Sequence, residues 1–302
     1  MKPQLLRRVV ELLRDSGFHI SDCEGSRSCF DLLARKGKLL LVIKVLSNIE
    51  GFNWNTAHEL KKVSSITGGF PIVVGDRLKS SRLLDGVLYE RYGLHAVSVS
   101  TLGNMLSNSM PVAHSIRGNY CATVNSEMLR KMRSHLDLTQ EELARELGVS
   151  KQSVYRYEST GRVVFDVMER MLKLFERNNR LLVHENVFQS PGVDESHEYR
   201  MHVPSMKKLV AGKLEGMGFT TSITNAPFDV VARDDETVYA VVTDDQRRIG
   251  HKISLIDDII HMVGGYGLVV TNRQVSSRRK SVLRPEDLDD FDSSDDLIDR
   301  LR

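Results

Sequence analysis

The chain has 302 residues, 41% of them hydrophobic and 27% charged, enough apolar material for two or three domain cores. Its longest apolar run, Leu39 to Ile43, ends at Lys44, far short of the roughly 20 residues a membrane-spanning helix needs, and its three cysteines form no C-x-x-C pair. The net charge of +2 hides an asymmetry, because residues 1 to 183 hold 27 basic and 19 acidic side chains, whereas residues 184 to 302 hold 15 and 21.

Taken in order, residues 4 to 16 carry an amphipathic helical pattern with Leu5, Leu6, Val9, Leu12 and Leu13 inward, ended by Gly17. The acids within it mark a first helix rather than a secretion signal. Strands are predicted near Phe18 to Ser21, Phe30 to Ala34 and Leu39 to Leu46, the last so continuously apolar that it should be buried on both faces. A helix over about Asn55 to Thr67, a strand from Pro71 to Val74, a strand near Ala96 to Ser98 and a short capped helix, Thr101 to Leu106, complete an α/β order. Polar stretches near Ser107 to Val124 and Glu185 to Val203 read as linkers, and the neighbouring His197 and His202 as linker residues.

Between those linkers lies Thr139 to Glu158, TQEELARELGVSKQSVYRYE. Thr139 and Glu142 have capping-box spacing; Leu143, Ala144 and Leu147 share one helical face; Gly148 supplies a left-handed stop. Ser150 then caps a second helix whose inner face is Val154 and Tyr157, while Lys151, Gln152, Ser153, Arg156 and Ser159 are left outside. Lys and Arg suit guanine O6 and N7, and Gln suits adenine N6 and N7. A helical hairpin for protein contacts would need the apolar positions, but not the cap, the glycine and the cationic outer face together.

With a helix before it (SEMLRKMRSHL) and another after it (VFDVMERMLKLFER), the segment from about Asn125 to Asn178 resembles a lambda-repressor-like, Xre-type helix-turn-helix domain. That resemblance implies base contacts by Lys151, Gln152, Ser153 and Arg156, and phosphate contacts by Gln140 and Arg162. It also implies an internal ion pair between Arg133 and Glu158.

After the second linker the first order returns, and residues return with it. Leu5 to Phe18 parallels Met206 to Phe219; FDLLAR at Phe30 to Arg35 parallels FDVVAR at Phe228 to Arg233; Gly68 to Arg77 parallels Gly264 to Arg273. The acidic end lines up with the closing helix of the first block, with a helix start at Ser294, Asp295 and Asp296 and an apolar face of Leu297, Ile298 and Leu301. The expected organisation is therefore an α/β lobe (1–110), an all-α helix-turn-helix domain (120–182) and a second α/β lobe (204–302), the lobes an internal duplication.

Each lobe resembles the PD-(D/E)xK nuclease-like superfamily, which implies a restriction-endonuclease-like fold. In that superfamily two carboxylates hold a divalent metal and a lysine orients the attacking water. Asp31 and Lys44 match two positions of the motif, but Val42 fills the second acid position. In the rear lobe Asp229 remains, with Val241 and Thr243 where the acid and lysine would fall. Asp31, Lys44 and Asp229 are thus expected to be vestigial, with Lys44 partnering Asp31, although Glu59 or Glu11 could stand in for the lost acid. No metal and no cofactor are implied.

Three-part chains with such a central reader resemble a family of predicted archaeal helix-turn-helix regulators. The expectation is a cytoplasmic, non-enzymatic, sequence-specific transcriptional regulator that binds double-stranded DNA, as a homodimer, without a membrane partner and with no effector indicated. A DNA-targeted, metal-dependent nuclease and a protein-bridging transcription cofactor are the alternatives.

Overall fold

The computed structural model describes residues 2–23, 28–116, 119–176, 178–183, 187–188, 204–245, 247, 249–273 and 281–302. Most of the expected second linker, with His197 and His202, lies outside the described residues. By packing, the chain divides into two compact units, one formed by residues 1–12, 46–52 and 73–189 and the other by residues 13–45, 53–72 and 190–302. The front block is shared between them.

That block opens with α1 (Lys2–Asp15), which buries Leu5, Leu6, Val9 and Leu13. Next come β1 (His19–Asp22), β2 (Leu32–Lys36) and the ten-residue β3 (Leu39–Asn48), whose interior from Leu40 to Ile43 is fully covered, as its unbroken apolar run requires. The crossing helix α2 (Trp54–Thr67) begins where the Asn53 side chain accepts from the Thr56 amide and stops at Gly68, in the left-handed region at φ 66°. β4 (Phe70–Leu78), the short β5 (Ser81–Arg82), β6 (Val87–Arg91), β7 (Leu94–Val97) and α3 (Val99–Leu106, capped by Ser98) follow.

The expected linker at Ser107 to Val124 is not one. It contains β8 (Ala113–Ile116), parallel to β6, and β9 (Asn119–Thr123), antiparallel to β8. Four- and five-residue strands with mixed polar side chains carry little periodicity, so composition alone misreads them. The four helices α4 (Ser126–His135), α5 (Gln140–Glu146), α6 (Lys151–Thr160) and α7 (Phe165–Leu174) are then tied to this sheet by β10 (Arg162–Val164), which pairs with β9 directly after α6. The full strand order is β1-β2-β3-β4-β7-β6-β8-β9-β10, with β5 beside β4.

The rear block runs α8 (Ser205–Gly216), β11 (Thr220–Ile223), β12 (Val230–Arg233), β13 (Thr237–Val242), α9 (Ile249–Val263), β14 (Tyr266–Val270), β15 (Val282–Leu283) and α10 (Ser294–Leu301). Its sheet keeps chain order: β11, β12 and β13 are antiparallel, and β13, β14 and β15 parallel. The closing helix forms as expected, one residue earlier in its cap: Ser293 and Asp296 make a capping box, and Leu297 and Ile298 are buried.

Within the second unit the two blocks meet through matching residues. Arg35, next to last in β2, donates to the Met262 carbonyl in the last turn of α9; Arg233, ending β12, donates to the Ile66 carbonyl in the last turn of α2 at 2.8 Å. Each guanidinium thus satisfies an orphan carbonyl at a helix C-terminus, where the dipole favours a cation. Lys62 of α2 adds a 2.7 Å bond to the Ile223 carbonyl, and the Asn225 carbonyl accepts from the Cys29 amide at 2.8 Å.

Candidate nucleic-acid interface

The reader is built from its caps inward. Thr139 Oγ1 accepts from the Glu142 amide at 3.2 Å while Glu142 Oε2 accepts from the Thr139 amide at 2.8 Å, completing the capping box of α5. These bonds hold the Glu142 carboxyl below its ordinary value, the Thr139 backbone bond contributing most. Past α5, Gly148 at φ 61° turns the chain, and the Val149 amide reaches back to the Ala144 carbonyl at 2.9 Å. Ser150 caps α6 by accepting from the Ser153 amide.

Packing decides which face of α6 remains free. Val154 and Tyr157 are buried with Leu129, Leu143, Ala144, Leu147, Val163 and Met171 in one core. At the end of α6, Gly161 takes φ 70°, and a β-carbon there would lie 2.5 Å from the Val124 carbonyl oxygen. Only glycine allows that approach. It brings the Val124 amide to the Gly161 carbonyl at 2.8 Å and so fixes where α6 ends relative to β9.

A charged network lies beneath the helix. Arg133 Nε donates to Glu158 Oε1 at 2.6 Å, Arg133 Nη1 to the Leu138 carbonyl at 2.8 Å and Arg130 Nη2 to the Glu158 carbonyl at 3.0 Å. Glu158 is only 4% exposed, so its charge depends on these donors. Arg133 and Glu158 therefore form the ion pair that the resemblance implies. Gln140 joins them, its Nε2 donating to Glu158 Oε2 at 2.7 Å. One N–H of its amide is thus engaged inward, and the other is not used by this bond.

On the outer face Lys151, Gln152 and Arg156 stand exposed, and Arg162 is exposed at the start of β10. Ser153 is half-buried, its hydroxyl 3.0 Å from that of the Ser150 cap. The sequence reading passed over Tyr155, which is 66% exposed and one turn beyond Lys151 on the same strip. The i, i+4 spacing was the signal for it.

The motif residues of the lobes are arranged differently. Asp31 Oδ2 accepts from the Val45 amide at 2.7 Å, and Lys44 Nζ lies 3.4 Å from its other oxygen while also donating to the Ser28 carbonyl. In the rear block Asp229 Oδ2 accepts from the Val242 amide at the same 2.7 Å, but its cation is Lys207 of α8 at 2.6 Å. Strand register corrects one expectation here. Leu33 faces Val42 and Val231 faces Tyr239, so the counterparts of Val42 and Lys44 are Tyr239 and Val241, rather than Val241 and Thr243.

A divalent metal does not fit these residues. Val42 offers no ligand, the Tyr239 phenol is kept neutral by burial and is a poor one, and buried Glu59 accepts from the Asn225 amide at 2.9 Å. Glu11 is exposed on α1. Among the described residues no cluster of three His, Cys, Asp or Glu side chains is placed to hold a metal. Nor is any helix among them long and apolar enough to cross a membrane.

Family models match the chain in two places, a PD-(D/E)XK superfamily domain over residues 2–112 and a helix-turn-helix domain over residues 126–182. A curated protein of Pyrococcus furiosus, named "Putative HTH-type transcriptional regulatory protein", is 31% identical over 316 residues that cover all of this chain and 98% of the relative. The chain belongs to this family of archaeal regulators. Members with the same descriptive name from Methanocaldococcus jannaschii (28% identical, 100% of this chain and 97% of the relative) and Pyrococcus horikoshii (29%, 99% and 97%) align along their whole length as well. The match thus extends through the rear block, beyond either family model.

Proposed function

We propose that the chain is a sequence-specific DNA-binding transcriptional regulator that lays α6 in the major groove. The observation that carries this reading is the sorting of side chains around α6, with Val154, Tyr157 and Glu158 inward and Lys151, Gln152 and Arg156 outward. Outward cations and an amide on a short capped helix are what base edges require. Lys151, Gln152 and Arg156 are assigned to bases, with Ser153 and Tyr155 beside them, and Arg162 to phosphate. Gln140 can add a phosphate contact through the second N–H of its amide while the first stays on Glu158.

The three-part organisation (1–110, 120–182, 204–302) belongs to the same proposal. The paired Arg35 and Arg233 bonds and the equivalent Asp31 and Asp229 strand clips support descent of both lobes from one duplicated, restriction-endonuclease-like unit. The lobes are non-enzymatic supports in this reading, and the setting is the cytoplasm. A single reader of this size covers few base pairs, so two copies on a palindrome, about one helical turn apart, are expected. The mate binds through a surface other than the Arg35 and Arg233 faces, because those faces meet within one chain. Sedimentation velocity with and without duplex tests this, and a monomer in both samples would remove the dimer.

Selecting bound duplexes from a random pool tests the main reading. A single enriched motif is expected, with Arg156→Ala losing about 1 to 3 kcal/mol on it and relaxing one base position. Equal binding of all sequences by parent and variant would show that α6 is not the reading helix. The front-lobe family match favours one second reading, a nuclease targeted by the reader. Incubating plasmid with Mg²⁺ or Mn²⁺ separates the two: cleavage by the parent that is absent in Asp31→Ala would establish the enzyme.

A further inference from the structure

The first unit contains a cleft of about 560 Å³ between the β4–β5 turn, β6 and the β8–β9 hairpin. Three cations line it, Lys79, Arg82 and Arg91, together with two carboxylates, Glu50 and Glu90, and the hydroxyls of Tyr89 and Tyr120. Its volume lies within the range of small-molecule sites, and its three cations outnumber its two carboxylates, which suits a small anionic ligand.

One cation on its wall is weakly bonded. Arg91 Nε is buried and has no hydrogen bond, while Arg91 Nη2 reaches only the Glu50 carbonyl at 3.4 Å. The Nε–H is covered by protein and does not open onto the cleft, so a ligand there meets the weakly bonded Nη edge of the guanidinium, whose two terminal nitrogens match the two oxygens of a carboxylate or phosphate. The Arg91 guanidinium is held 5.5 Å from the centre of the Tyr92 ring, which limits its freedom to turn away. Lys79 sits at the mouth with a left-handed backbone, φ 54°, its carbonyl fixed by Asn48 Nδ2 at 3.2 Å. Backbone strain of this kind persists where surrounding structure holds it. The Tyr89 hydroxyl accepts from the Leu84 amide at 3.0 Å, and burial raises its pKa to about 12, which leaves it a neutral donor.

The cleft touches the strands that hold α6. Ser115 of β8 and Tyr120 of β9 face each other in register, and both line it. The next residues of β9, Cys121 to Thr123, pair with Val164 to Arg162 of β10, and Gly161 joins β10 to α6. A molecule held in the cleft therefore lies against the strand on which the end of α6 is set.

We infer that this cleft is an effector site for a small oxyanion, a molecule presenting a carboxylate or a phosphate to Arg91 with Lys79 and Arg82 at the mouth, and that its occupancy shifts α6 through β9 and β10. The site stands without the DNA reading; the coupling rests on it. The test is calorimetric titration of the full chain with citrate, inorganic phosphate and adenosine monophosphate, at constant ionic strength. Saturable binding of at least one is expected, and citrate against phosphate tells which oxyanion is preferred. Arg91→Gln should weaken that binding by about tenfold or more. Should Arg91→Gln fail to fold, the exposed pair Lys79→Gln and Arg82→Gln carries the test with a smaller loss in the same direction. No saturable binding of any of the three, or equal binding by the variants, overturns the site. With the bound probe present, duplex affinity should change by about fivefold or more, and reciprocally. Unchanged duplex affinity alongside intact probe binding overturns the coupling. Absence of duplex binding in every condition sinks the DNA reading while the calorimetry still decides the cleft.

Discussion

In the lobes the charged side chains of the motif face protein. Asp31 is clamped between the Val45 amide and Lys44, Asp229 between the Val242 amide and Lys207, and Glu59 by the Asn225 amide. On the outer strip of α6 the opposite holds, with Lys151, Gln152 and Arg156 facing solvent. A side chain whose bonding capacity is filled inside a fold contributes to stability, whereas one left outside is available to a ligand. The contrast thus separates what the two lobes can do from what the helix-turn-helix domain can do. It predicts that lobe substitutions change folding and spare DNA affinity, while outer-strip substitutions do the reverse.

The largest effect should come from Asp31→Ala. It strands Lys44, whose side chain is only 12% exposed, beside an unpaired Val45 amide, and should cost about 3 kcal/mol in urea unfolding. Asp229→Ala should cost less, about 2 kcal/mol, because Lys207 is 20% exposed on a helix surface and can turn toward water. Equal losses would mean that the cation's element does not matter and only the shared amide bond does. Loss of duplex affinity in either variant, measured where both remain folded, would break the separation itself.

Arg133→Ala tests the reader's own inward set. Glu158, 5% exposed in its side chain, would retain Gln140 and lose its charge partner, for an expected cost of about 2 kcal/mol. Duplex affinity of the folded fraction should fall only modestly, since no base contact is removed. A variant as stable as the parent would show that Glu158 finds water or Gln140 sufficient.

The same division explains what the sequence made legible. Local signals were sufficient for the reader: a capping box at Thr139, a stop at Gly148 and a second cap at Ser150 act within one or two turns, and each is observed. The long apolar run of β3 and the capped α2 were readable for the same reason. What escaped depends on distant partners. β8, β9 and β10 are strands only because each finds the next one's backbone, and Val163, their one fully buried apolar side chain on β10, cannot announce that. The inward turn of Gln140 follows from Glu158, 18 residues away. The rear-lobe positions were expected two residues too late, and the turn between β12 and β13, which pairs Arg233 with Thr237 where β2 and β3 pair Arg35 with Leu40, is one residue shorter and accounts for one of the two.

Smaller effects are expected on the outer strip. Lys151→Ala and Gln152→Ala should leave the unfolding midpoint within about 0.5 kcal/mol of the parent, because neither side chain is buried. Fluorescence anisotropy on the selected duplex should nevertheless show weaker binding, and for Lys151→Ala a shallower dependence on salt if that ammonium also meets a phosphate. A folding defect with unchanged binding would exchange the roles assigned to the two surfaces.

The smallest effect belongs to Glu142, which is exposed yet bonded within the fold. Its carboxyl is held below the ordinary value by the Thr139 backbone bond, so ionisation is favoured in the folded chain. The stabilisation is therefore complete above the unfolded value near 4.5 and is lost as pH falls through the lower folded value. Glu142→Gln keeps a side-chain acceptor for the Thr139 amide but has no charge to lose. Thermal melts of parent and variant should differ most near neutral pH and converge as pH falls below that window, with the parent the more stable at the start. A gap that stays constant with pH would mean that the carboxylate's charge adds nothing to the cap, and that α5 is held by the hydroxyl of Thr139 and the packing of Leu143 alone.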